Sequence, residues 1–183
     1  MQYPWYETLQ SSSEIRQGDF ITNCPIIIPP DNFNSIEENQ AQIDEELSVR
    51  SLDAVVVSQS CDLENEKIEI VLVCPFYTLE YFFECLPQSD RIGRGREKKL
   101  NELRQGSIPS YHLLNRDDNN GITNFLIVDF KNVYGVSFKF LKKYATTIPV
   151  RQRLLPPYRE HLSQVFARFF MRVGLPNDIV GLA

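Results

Sequence analysis

The chain has 183 residues, 43% of them hydrophobic and 23% charged, with a formal net charge of −5. A chain of this size buries a core without help from disulfides or metal, and its composition excludes wholesale disorder. The acidic balance runs against a dedicated nucleic-acid binder, whose affinity comes largely from cationic contacts to phosphate. Met1-Gln2-Tyr3-Pro4-Trp5 has neither the basic start nor the apolar stretch of a signal peptide. Apolar runs such as Ala54–Val57 and Ile70–Cys74 are far shorter than the roughly 20 residues a bilayer requires. A cytoplasmic protein of one domain spanning 1–183 is the resulting expectation. The four cysteines, Cys24, Cys61, Cys74 and Cys85, lack C-x-x-C spacing, and there are two histidines. The thiols should therefore be free, and neither a metal nor a cofactor is implied.

In chain order, Trp5 to Ser12 reads as a short helix or turn packed by Trp5 and Tyr6. Gly18-Asp19 turns the chain into a first strand that runs through Cys24-Pro25-Ile26 toward Pro29-Pro30. Its prolines belong at a sheet edge or at the strand's end. Residues 31–49 form an acidic insertion, with no Lys or Arg between Arg16 and Arg50 and a thin helical spacing of Ile36, Ile43 and Leu47. Asp53 to Ser58 is a β-branched strand, Gln59 to Asn65 a polar turn, and Lys67 to Val73 the returning strand of a hairpin. Phe76 to Cys85 is aromatic-rich and fits either strand or helix. Residues 88–107 predict a basic loop leading into a short helix. Tyr111–Leu114 reads as a strand, Asp117–Gly121 as a turn, Asn124–Phe130 as a strand and Tyr134–Leu141 as another. After Pro156-Pro157, Leu162, Val165, Phe166, Phe169 and Val173 recur at helical steps until Gly174 and Pro176 stop the helix. The fold class is α+β and β-rich, closed by this amphipathic helix, whose apolar stripe packs on a sheet.

Four groups of residues carry candidate chemistry. Ser58-Gln59-Ser60-Cys61-Asp62 places a cysteine in a polar turn just after a buried strand. With a nearby base Cys61 could serve as a nucleophile, His112 and His161 being the only histidines to supply one. Otherwise Cys61 is a small buried thiol, with Asp62 capping the turn, or Ser58, Gln59 and Asp62 bind a ligand. The basic stretch Arg91, Arg94, Arg96, Lys98, Lys99 and Arg104 could grip phosphates, although Asp90, Glu97 and Glu102 dilute it and the acidic insertion offers it an internal partner. Lys142, Lys143, Arg151 and Arg153 suit a solvated sheet edge or an RNA contact. The aromatics Phe76, Tyr77, Tyr81, Phe82 and Phe83 suit a core or an oligomer contact better than a base-stacking platform.

The order of several short signals resembles the MazF/PemK family of toxin-like proteins. These are the Gly18-Asp19 strand start with its Pro25 tail, Val55-Val56-Val57-Ser58, and Val71-Leu72-Val73-Cys74-Pro75. Ser137-Phe138-Lys139-Phe140-Leu141, Arg153-Leu154-Leu155 and the Gly174-Leu175-Pro176 helix end follow in the same order. The resemblance implies an SH3-like β-barrel carrying helices, a homodimer, an antitoxin-like protein partner, and metal-independent cutting of single-stranded RNA. In that family an arginine and a threonine engage the scissile phosphate, which points to Arg50 and Thr78 here. Both are displaced: Leu52-Asp53 stand where Arg-Pro is usual, and Thr78 falls one residue late after Pro75. Ser58–Leu63 also resembles a Ser-Gln-Ser/Thr-Cys-Asp-Leu segment found in prokaryotic proteins of mobile and defence loci. The leading expectation is a toxin–antitoxin or defence protein with a degenerate nuclease site that binds a partner protein. An active endoribonuclease working through Arg50 and Thr78, and a cysteine-dependent hydrolase built on Cys61, are the competing readings.

Overall fold

The computed structural model describes residues 3–28 and 48–171. The acidic segment up to residue 47 and the helix stop at Gly174 and Pro176 lie outside these residues. The elements are β1 (Tyr6–Gln10), β2 (Phe20–Ile28), β3 (Ser48–Val56), α1 (Ser60–Glu64), β4 (Ile70–Thr78), α2 (Leu79–Glu84), α3 (Gln88–Arg91), α4 (Gly93–Arg104), β5 (Tyr111–Leu114), β6 (Leu126–Asp129), β7 (Tyr134–Ser137), α5 (Phe138–Ala145), β8 (Val150–Leu154) and α6 (Tyr158–Phe170). The chain is α+β. Its main sheet is antiparallel in the order β2-β3-β4-β6-β5, with β7 also paired to β4. No helix among the described residues is long and apolar enough to cross a membrane.

The central strand β4 serves two ladders along its length. Ile70–Val73 pair with β7, and Phe76–Thr78 pair with β6. On its other side Val73–Pro75 pair with Val56–Ala54 of β3. β2 lies at the sheet edge, where Pro25 is tolerated because its missing N–H faces no further strand. A register shift between Ile21 and Cys24 bulges β2 at Asn23, whose φ of 51° is left-handed and whose N–H donates to the Asp53 carboxylate at 2.9 Å.

The run Val55-Val56-Val57 is continuous rather than alternating because both faces of the sheet are covered. Ile21, Ala54, Val56, Val71, Val73 and Val136 face α5, with Leu141 and Ala145. Phe20, Val55, Val57, Cys74 and Val128 face the opposite way, onto Tyr6, Leu154 and Leu162. A third cluster joins Phe82 and Phe83 of α2 to Leu103 of α4 and Ile127 of β6. The aromatic run thus divides: Phe82 and Phe83 are core, and Tyr81 is exposed.

β1 and β8 form a separate two-stranded sheet, Tyr6 opposite Leu154 through Gln10 opposite Val150. Gly18 and Asp19 join it to the main sheet. The Leu154 N–H donates to the Gly18 carbonyl, the Gly18 N–H donates to the Val56 carbonyl, and the Val56 N–H donates to the Asp19 carbonyl. The strands do not close into a barrel among the described residues.

Four expectations need correction. Trp5–Ser12 contains a strand and no helix; Tyr6 and Leu9 are buried at a three-residue step that mimics a helical face. Gln59–Asn65 contains the single helical turn α1. At 88–107 the helix expected after the basic loop is present, but it takes most of the stretch and a helical turn replaces the start of the loop, since Glu97-Lys98-Lys99-Leu100 and Glu102-Leu103 are strong helix formers. The strand expected over Tyr134–Leu141 stops at Ser137, because Phe138, Leu141 and Ala145 turn inward at helical spacing and leave Phe140 exposed.

Candidate functional site

The densest polar construction lies where the Gln17–Asp19 turn, the Ser58–Asp62 segment and α6 meet. Two hydroxyls and an amide hold it together. Ser58 Oγ accepts the Leu72 N–H at 2.8 Å, and Ser60 Oγ accepts the Gln17 N–H at 3.2 Å. The buried Gln17 donates its amide to the Val57 carbonyl at 2.9 Å. The Ser58 bond, with the Val57 N–H donating to the Leu72 carbonyl, extends the β3–β4 pairing past the end of its ladder, and the two Gln17 bonds tie the preceding turn to the same segment. Gly18 is left-handed at φ 85°, and a Cβ there would stand 3.1 Å from Leu154, so the turn needs glycine.

Above this frame is an open recess of about 360 Å³, lined by Gln59, Ser60, Cys61, Arg159, Ser163 and Gln164 among others. Gln59 Nε2 donates to Ser163 Oγ at 3.2 Å, tying the segment to α6. Arg159 is committed to Glu160, Nη2 to Oε1 at 2.6 Å. Cys61 is exposed, which corrects the buried-thiol reading, and its nearest polar partner is Asp62 at 3.8 Å. Neither histidine lines this recess. His112 and His161 meet each other instead, ring centroids 5.0 Å apart, in a separate cleft. Neither histidine proposed as the base for Cys61 chemistry is therefore beside it. The other thiols divide likewise: Cys85 is exposed, while burial pushes Cys24 up to about 11 and Cys74 up to about 12.

Beneath the turn is a buried ion cluster formed by residues far apart in the chain. Arg153 Nε donates to Asp19 Oδ1, its Nη2 donates to Oδ2 at 3.1 Å, and Arg151 Nη2 stands 3.8 Å from the same carboxylate. Arg151 is 1% exposed and also donates to the carbonyls of Ser11, Ser13 and Ala145. Burial pushes the Asp19 carboxyl up, and the hydrogen bonds and charges of the two arginines oppose that shift. The expectation that Arg151 and Arg153 solvate an edge or touch RNA is thus corrected: they are spent inside. Lys142 is paired with Glu66 at 2.6 Å, and Lys143 lies exposed on the same helix.

The remaining predicted residues are dispersed. Arg50 lies exposed on β3 opposite Ile26 of β2. Thr78 lies at the end of β4 opposite Leu126 of β6, its hydroxyl accepting the Tyr81 N–H to cap α2. The β3–β4 ladder ends at Ala54–Pro75, so it does not extend to join them. Within the basic stretch, Arg96 pairs with Glu80 at 2.8 Å and covers the Phe83 ring at 3.9 Å. Lys98 and Lys99 share Glu102, and Arg91 donates to the Leu86 carbonyl. Arg94 and Arg104 make no ion pair among the described residues. Nor is there among these residues any group of three or more His, Cys, Asp or Glu placed to hold a metal ion. No protein-family model, curated protein or solved structure matches the chain.

Proposed function

We propose that the protein is a cytoplasmic, MazF/PemK-like member of a prokaryotic toxin–antitoxin or defence system that works by binding a partner protein. One observation carries this reading: Arg50 and Thr78, the pair that would act on RNA, belong to different strand pairs, and the Thr78 hydroxyl is already engaged as a helix cap. A phosphate held between two such residues requires both on one surface within hydrogen-bond reach. The fold we propose is an opened SH3-like barrel, with β1 and β8 joined to the main strands through Gly18 and Asp19. The partner would dock on the polar recess around Gln59 and Cys61, which is built from three distant parts of the chain on a rigid hydrogen-bonded frame.

The test is incubation of a long single-stranded RNA with the purified protein in EDTA, beside Arg50→Ala and Thr78→Ala. No cleavage by the parent is expected. Cleavage that disappears in either variant would overturn the reading in favour of an active endoribonuclease. Docking has its own arm: a photo-crosslinker on Cys61, in a Cys85→Ser background, should join one protein of the native host at near-stoichiometric yield. A crosslinker at Cys61 that yields no such adduct removes the recess as the docking site.

A further inference from the structure

On the side of the molecule formed by β5, the end of α4 and α6 lies a cleft of about 510 Å³. This is within the range of small-molecule sites and exceeds the recess around Cys61. Its charge is opposite to that of the whole chain. Arg104 and Arg168 supply that charge, His112 and His161 line the cleft beside them, and no carboxylate joins them, in a protein whose net charge is −5. Neither arginine has an ion-pair partner among the described residues, whereas Arg96, Lys98, Lys99, Arg153 and Arg159 all do. Two unpaired, exposed guanidiniums lining one concave surface without a counterion are suited to an anion, and their planar forks match phosphate oxygens.

The rest of the lining favours an aromatic body. Trp5 is held rigid by face-to-face stacking on Tyr158, ring centroids 3.6 Å apart and planes 8° from parallel. Phe125, 40% exposed, presents a second ring. Flat rings of this kind stack on nucleobases whatever their identity. His112 is 7% exposed, packed between the Phe130 and His161 rings, and lines the cleft, where its imidazole can hydrogen-bond a base edge.

We propose that this cleft binds a nucleoside phosphate, its phosphate taken by Arg104 and Arg168 and its base set against Trp5 and Phe125. The site is separate from the recess around Cys61, and the inference is independent of the partner-binding reading.

Trp5 is the only tryptophan in the chain, so its fluorescence reports on this cleft directly. The full chain is titrated with adenosine and uridine 5′-monophosphates, with the two nucleosides and inorganic phosphate as controls. Saturable quenching by at least one nucleotide is expected, at least tenfold tighter than by its nucleoside or by phosphate alone. Arg168→Ala should weaken it at least tenfold while far-UV circular dichroism stays unchanged, and Arg104→Ala should do likewise. Three results would overturn the proposal: no saturable response to either nucleotide, an equal response to inorganic phosphate, or an affinity unchanged when both arginines are replaced in a folded variant.

Discussion

His112 shows how much one buried side chain decides. Burial, with the neighbouring His161 adding to it, pushes its imidazole down to about 4, so it stays neutral in the fold where a free histidine would charge. The unfolded chain takes up that proton near pH 6.5, so between the two values the unfolded state binds more protons and stability falls as the pH falls. The full loss on reaching pH 4 is on the order of 3 kcal/mol. Urea midpoints at neutral pH and near pH 4.5 should therefore differ more for the parent than for His112→Gln, and equal differences would remove His112 from the account. Nothing around His112 in the sequence indicates its burial. Arg151 and Arg153 mislead more actively. Alternation along Val150-Arg151-Gln152-Arg153-Leu154 suggests that the valine and leucine point inward and the arginines outward. In fact Val150 is 46% exposed and both arginines are buried around Asp19, a counterion 134 residues before Arg153 that no local pattern reveals.

Elements were legible wherever their own periodicity set them. α6 starts just after Pro157 as its spacing predicts, and Leu162, Val165, Phe166 and Phe169 pack on the second core cluster. β5 matches its predicted bounds, while β3 starts at Ser48, earlier than the expected Asp53, and ends at Val56, before Val57 and Ser58. Glycine ordinarily weakens a helix interior, yet Gly95 lies inside α4. A Cβ at Gly95 would fall 1.9 Å from the backbone carbonyl oxygen of Ser89, so glycine is there to let α4 cross α3 closely. Backbone cannot give way as a flexible side chain does. Gly95→Ala should thus destabilise the protein by roughly 1–3 kcal/mol, despite alanine's better helix propensity. The mirror expectation is a small gain, and the sign of the change in denaturation midpoint distinguishes the two.

At the scale of the molecule, Asp19 joins the small sheet to the large one. Its backbone bonds β3, and its carboxylate holds two arginines of β8. Replacing it leaves Arg151 buried with no counterion and Arg153 with only the half-exposed Glu7, 3.5 Å away, so Asp19→Ala should cost about 3–5 kcal/mol in guanidinium unfolding. A loss under 1 kcal/mol would mean that the cluster contributes little beyond its shape. The same closure orders events in time. Tyr6 pairs with Leu154, and Asp19 with Arg153. During synthesis, therefore, β1 and the buried carboxylate have no partners until nearly all the described chain has been made. Until then a strand with open edges and two core side chains, Tyr6 and Leu9, and a carboxylate destined for the interior, stay in water. The long wait between β1 and β8 is thus the interval in which a nascent copy is most open to pairing with another chain, and in which a chaperone would find its binding surface.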